Sequence, residues 1–366
     1  MILIQLPVFF NTGSFLILGM KTLSYLFLML SITASSCSGP SKVESALQPI
    51  VVTETVFGDT DDPAIWVNSS NLDSSLVLGT DKHKSKGGVY VFNLSGKIDS
   101  NRSRLNLKRV NNVDIAYGFN FNKVKIDIAV ATERDAQSIR VFTLPSMEII
   151  DCGGIKVFED DSLNLPMGIA LYTRKRDGNT FAIVGRKEGP SSGYLYQYLL
   201  YDSAAIVKAK LVRKFGTYSG KKEIESIAVD HALGYVYYSD EQVGIRKYHA
   251  DPDSADVQLA IFGTNEFKDD NEGISIYTTS DNQGYILVSD QSANRFNVYS
   301  RQGSLTNPHE HTLIKSIPFS TNNSDGSDIT SIELPGFKGG LFVAMSDNKT
   351  FQFYSMAQIV ERLSIK

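Results

Sequence analysis

Asp59-Thr60-Asp61-Asp62-Pro63-Ala64-Ile65-Trp66 sets three carboxylates within four positions, then a proline, then an apolar run ending at the chain's single tryptophan. Like charges this close need full hydration or a cation among them. Pro63 cannot continue a helix and suits the start or edge of a strand. Ala64-Ile65-Trp66-Val67 has the β-branched and aromatic character of a strand. The stretch reads as an acidic loop tip feeding a buried strand.

Read outward from it, the same order of features recurs six times. A short strand is followed by an apolar strand that ends in a small or hydroxyl residue and a charge, then by a third strand ending in an aromatic. The apolar strand of the first copy is Leu76-Val77-Leu78-Gly79-Thr80-Asp81-Lys82; its counterparts are residues 128–134, 181–188, 235–241, 285–291 and 340–347. There is little helical periodicity, and the period of about 50 residues is that of propeller blades. A fourth strand comes from the segment leading into each next copy. The last copy lacks one, which Val51-Val52-Thr53-Glu54-Thr55-Val56 can supply. The expected fold is all-β: a six-bladed β-propeller, its ring closed by an N-terminal strand, with a short helix over residues 356–363. A two-sheet sandwich does not explain a six-fold repeat.

The 366 residues are 42% hydrophobic with net charge −4, which gives no basic surplus for nucleic-acid binding. Residues 1–19 are apolar without a basic start, and read as an over-extended N-terminus. Met20-Lys21 and the following apolar run have the form of a signal peptide, which ends in the lipoprotein-like Ala34-Ser35-Ser36-Cys37. The expectation is an exported chain, tethered to the cell envelope through a lipidated Cys37 or secreted. Residues 38–49 read as a linker and residues 50–366 as the propeller, expected to be monomeric. Cys152 is the second of two cysteines, so the mature domain has no internal disulfide.

Equivalent positions of six blades face one end of the ring, so the charges can be compared. After the second strand the copies carry Asp81-Lys82, Glu133-Arg134, Lys187-Glu188, Asp240-Glu241, Asp290-Gln291 and Asp347. Before the first strand stand Asp61-Asp62, Asn111-Asn112, Pro166-Met167, Glu223 with Glu225, Asp269-Asp270-Asn271-Glu272, and Asp325 with Asp328. The reading is one mouth split into a cationic arc and an acidic arc. Hard oxygen donors without clustered Cys or His suit Ca2+, and Lys or Arg beside them suits phosphate. His309-Glu310-His311 invites a zinc reading but has no third ligand nearby in sequence.

These residues resemble the β-propeller phytases, six-bladed Ca2+-dependent enzymes that hydrolyse phytate (inositol hexakisphosphate). Asp61-Asp62-Pro63-Ala64-Ile65-Trp66 and Asn111-Asn112-Val113-Asp114-Ile115 carry the resemblance most specifically. It implies phosphate binding by Lys82, Arg134 and Lys187. It implies a catalytic Ca2+ cluster on Glu225, Glu241, Asp270 and Glu272, with further ligands among Asp61, Asp62, Asp114, Gln291, Asp325 and Asp328. His83 stands where a second lysine is frequent in that family, and Met167 where a tyrosine is usual.

The resemblance also implies direct attack by water. The residues agree, because no nucleophile-plus-base arrangement, Gly-x-Ser-x-Gly elbow or phosphate loop occurs. The rival readings are a non-catalytic Ca2+-stabilised binding propeller of the cell surface and a propeller hydrolase of lactonase or phosphodiesterase type. The second would need few cations at the mouth.

Overall fold

A computed structural model describes residues 44–364. The expected export segment, with Cys37, and the first residues of the linker lie outside the described residues. The described chain forms six four-stranded antiparallel sheets and a C-terminal helix, Met356–Ser364. This is the six-bladed β-propeller expected from the repeat.

The innermost strands are Thr60–Trp66, Val110–Phe121, Pro166–Thr173, Ile227–Asp230, Asn271–Ser280 and Ser327–Thr330. They line a central channel of about 570 Å³. The second strands are the apolar runs of the repeat, and Leu76–Asp81, Thr180–Arg186 and Leu341–Ser346 are buried along their whole length. A blade packs on both faces, so its central strands read as continuous apolar runs rather than alternating ones. Six apolar cores result, one between each pair of adjacent blades. In the core between the last blade and the first, Val343, Phe351 and Phe353 pack with Ile65, Val77 and Phe92. The strand expected over residues 51–56 shrinks to Val51–Val52, paired with Thr350–Ser355 as the outer strand of the sixth sheet. Beyond it Glu54 turns outward and accepts a hydrogen bond from the Ile98 amide at 2.8 Å.

Two local devices shape one end of the ring. The first is a β-bulge near the start of the innermost strands. Register breaks between Thr60 and Pro63, Val110 and Val113, Pro166 and Ile169, and Asn271 and Ile274. A bulge sets two residues against one and re-aims their side chains. In the fourth and sixth blades the same position falls just before the strand, at Glu225-Ser226 and Asp325-Gly326. There the amides of Ser239 and Met345 donate to the carbonyls of Ser226 and Gly326.

The second device is a hydroxyl at the end of the second strand, which donates to the backbone of the next blade. Thr80 donates to the Asn111 carbonyl, Thr132 to Met167 at 2.7 Å, Ser239 to Glu272 at 2.7 Å and Ser289 to Ser324 at 2.7 Å. The third blade has Gly185 instead. There the contact with the next blade is steric, because a Cβ on Gly168 would lie 2.1 Å from the Glu225 carbonyl oxygen.

Candidate active site at one end of the channel

The bulges present Asp61, Asn111, Met167, Glu225, Glu272 and Asp325 as one tier of the mouth. The ends of the second strands present Lys82, Arg134, Lys187, Glu241, Gln291 and Asp347 as another. Each residue of this second tier has its amide bonded to the loop entering its own blade, as in Lys82 to the Asp59 carbonyl at 2.8 Å and Glu241 to Glu223 at 3.2 Å.

The residue before each of these faces the other way. Asp81 accepts the amides of Gly58, Asp59 and His83; Glu133 accepts the Lys108 amide and pairs with Arg140. Asp240 accepts the Ser219 amide and pairs with Arg246, while Asp290 accepts the Lys268 amide and pairs with Arg295. These four acids, expected at the mouth, are buried clasps for the incoming loops. In the third blade the pair is Arg186-Lys187 rather than Lys187-Glu188. Arg186 is fully buried, ion-paired with Asp161 and set against the rings of Phe158 and Tyr196.

Two groups of carboxylates converge. Asp61, Glu225 and Asp325 bring one oxygen each within 4.8 Å of one another, and so do Glu241, Asp270 and Glu272. Burial, and then the charge of Asp61, push the Glu225 carboxyl well above its ordinary range. Burial raises Asp325 to about 6 and Glu241 to about 7, although Lys82 and Lys222 oppose the shifts. Burial and the Glu241 charge push Glu272 up as well. Its Oε2 is buried without a hydrogen-bond partner. An unsatisfied buried carboxylate oxygen is costly, so the second triplet is short of a cation. The donors are all hard oxygens, a set that fits Ca2+.

The expected cationic and acidic arcs are not separate sectors. Lys82 Nζ lies 2.9 Å from Asp61 and 2.7 Å from Asp325. Burial opposes its charge, yet Asp61, Asp325 and Glu225 hold its pKa above the ordinary lysine value. Arg134 reaches Glu225 at 3.6 Å, and its Nε is buried without a partner. Lys187 pairs with Glu223, and Gln291 donates to Asp325. Every predicted phosphate-binding cation therefore meets a carboxylate of the mouth, because the ring turns the strand ends of different blades toward one axis.

Asp62, Asp114 and Asp328 are not brought to either triplet. They lie in the channel and lace neighbouring blades together. Asp62 accepts the Val113 amide at 3.1 Å, Asp114 the Leu171 amide at 2.6 Å, and Asp328 the Ile65 amide at 2.7 Å. Burial raises Asp114 to about 6 and Asp328 to about 7, and pushes Asp62 well up. Of Asp325 and Asp328, it is Asp325 that joins a carboxylate triplet. Met167 is buried and its carbonyl accepts from Thr132.

His311 spends both ring nitrogens, on the Ser300 carbonyl at 2.7 Å and on Lys247 at 3.1 Å. Neither histidine joins a metal-capable group among the described residues, so the zinc reading falls.

Three mouth residues had no assigned role in the sequence. Asn111 donates to Asp61 at 2.8 Å, and Glu223 pairs with Lys187. Lys222 lies 3.1 Å from Glu241 and also contacts Asp270. The basic Lys221-Lys222 pair was visible, but nothing local showed where it points.

The phytase family model matches residues 17–361. A 3-phytase of Bacillus subtilis (strain 168) is 30% identical over 364 residues, covering 92% of this chain and 91% of that protein. With the propeller and its acidic mouth in place, these matches show that the chain belongs to the phytase family.

Proposed function

We propose that this protein is a Ca2+-dependent phosphomonoester hydrolase that releases phosphate from phytate by attack of a metal-activated water. One observation carries the reading: two carboxylate triplets lie at one mouth against Lys82, Arg134 and Lys187. Asp61, Glu225 and Asp325 would hold one cation position, and Glu241, Asp270 and Glu272 the other, with Gln291 orienting Asp325. Bound Ca2+ supplies charge for the phosphate oxygens and lowers the pKa of a bound water.

The chain's own contribution is binding and orientation. Lys82 and Arg134 approach the first triplet from different blades, and Arg134 keeps an unpaired N–H for an anion. Lys187 adds a third positive charge on the far side of Glu223. Groups fixed in advance around a phosphoryl centre favour the transition state because they need little reorganisation. Neither tier of the mouth contains a Ser, Cys or His that could form a covalent intermediate. Asp62, Asp114 and Asp328 support the site from the channel by holding blades one, two, three and six in register.

Export through residues 20–37, ending in a lipid anchor on Cys37 or in free secretion, and a monomeric state belong to the same proposal. The test is phosphate release from phytate by the purified protein. Release is expected with Ca2+ and is lost with chelator; release that persists in chelator would remove the Ca2+-dependent mechanism.

A further inference from the structure

Each carboxylate triplet has a lysine lying in it, but the two lysines are held differently. Lys82 follows directly on the strand Leu76–Asp81, and its side chain is 22% exposed. Lys222 belongs to the irregular connection between Val207–Thr217 and Ile227–Asp230, and its side chain is 42% exposed. Its ammonium is held by Glu241 and Asp270, and its backbone by Tyr218, which donates a hydrogen bond to the Lys222 carbonyl. Tyr218 is itself buried against Tyr194, with ring centroids 4.4 Å apart. The side chain can therefore leave while the loop stays.

We infer that Lys222 is a displaceable internal cation: it occupies the Glu241–Asp270–Glu272 triplet in the metal-free protein and is expelled when Ca2+ binds. The inference rests on the proposed Ca2+ role of the triplets. An ammonium group has no lone pair to offer a metal, and its charge repels Ca2+ strongly at contact distance. Ca2+ also needs six to eight oxygen ligands. The Glu241 and Asp270 oxygens that face Lys222 are thus not available to both cations. Of the Asp270 oxygens, one accepts from Gln242 at 3.0 Å and the other meets Lys222. Glu272 Oε2, buried and unpartnered, is the oxygen that Lys222 does not satisfy. Lys222 thus holds the triplet together without completing it, and it sets the Ca2+ concentration at which this position fills.

The test is calorimetric titration of chelator-treated full-length protein with Ca2+, comparing the parent with Lys222→Gln and repeating both in a Glu272→Gln background. The expected result is that Lys222→Gln binds Ca2+ roughly tenfold more tightly at one position, the size expected when two partly exposed ion pairs no longer compete. In the Glu272→Gln background that gain disappears. An unchanged or weaker affinity in Lys222→Gln overturns the inference, and so does a gain that survives Glu272→Gln. A parent protein that binds no Ca2+ overturns the proposed function and this inference together.

Discussion

The two acidic triplets look alike in charge and differ in what holds their lysine. In the first, Lys82 extends from a strand end, its amide is tied to Asp59, and its ammonium bridges Asp61 and Asp325 from blades one and six. In the second, Lys222 comes from a loop and bridges Glu241 and Asp270 with nearly twice the exposure. Position in the fold, not residue type, separates a permanent cation from a removable one. On the proposed function, the ordered lysine presents positive charge to substrate phosphate. The loose one neutralises carboxylates until a better cation arrives.

Several substitutions sharpen or break this contrast. The largest effect is expected from Glu225→Gln, which removes charge from the first triplet and the partner of Arg134. Phosphate release from phytate should fall on the order of a hundredfold or more; retained release with the same Ca2+ dependence would mean that the first triplet is not the site. Next, Lys82→Ala should lower kcat/KM by roughly a hundredfold, and Lys222→Ala far less when Ca2+ is saturating. Equal losses in the two variants would erase the distinction.

Smaller effects follow from the frame around the triplets. Gly168→Ala places a methyl against the Glu225 carbonyl. It should cost about 1–3 kcal/mol in thermal stability and weaken Ca2+ binding, read by melting and titration of the same samples. The smallest effect is in the channel. Asp114 and Asp328 ionise at about 6 and about 7 in the fold, chiefly because of burial, against about 3.9 in the unfolded chain. The folded state therefore binds more protons in this window. Their contribution to stability is complete below about pH 4 and is lost as pH rises towards 7. In chelator, Asp328→Asn should flatten this loss by on the order of 1 kcal/mol, measured by denaturant unfolding at several pH values.

Much of this architecture could be read locally. The second strands announce themselves as apolar runs because blades cover them on both faces, and six such runs at one period define the ring. The acidic bulges could be read because Asp61-Asp62 and Asn111-Asn112 are compact signatures. What could not be read was the direction of single side chains. Asp81 and Lys82 are adjacent, and in extended chain neighbouring side chains point apart. One clasps a loop and the other faces the mouth, yet composition gives both to the same end of the ring. Pairings between blades were hidden for another reason. Lys82 and Asp325 are 243 residues apart, and Lys222 and Asp270 are 48 apart. No local pattern encodes such distances; they follow from ring closure and from bulges that turn the side chains inward. The N-terminal strand is shorter than expected because the Phe351 amide donates to the Thr53 hydroxyl instead of a main-chain carbonyl, and the Glu54 amide turns to the Gly96 carbonyl of the first blade.

The most direct measurement is a diffraction structure of the Ca2+-loaded protein with the ions located by their anomalous signal. The account predicts an ion on Asp61, Glu225 and Asp325 and another on Glu241, Asp270 and Glu272. Lys82 should remain beside Asp61, and the Lys222 ammonium should be turned out to solvent. Ions bound elsewhere, or Lys222 still bridging Glu241 and Asp270 beside a filled triplet, would contradict it.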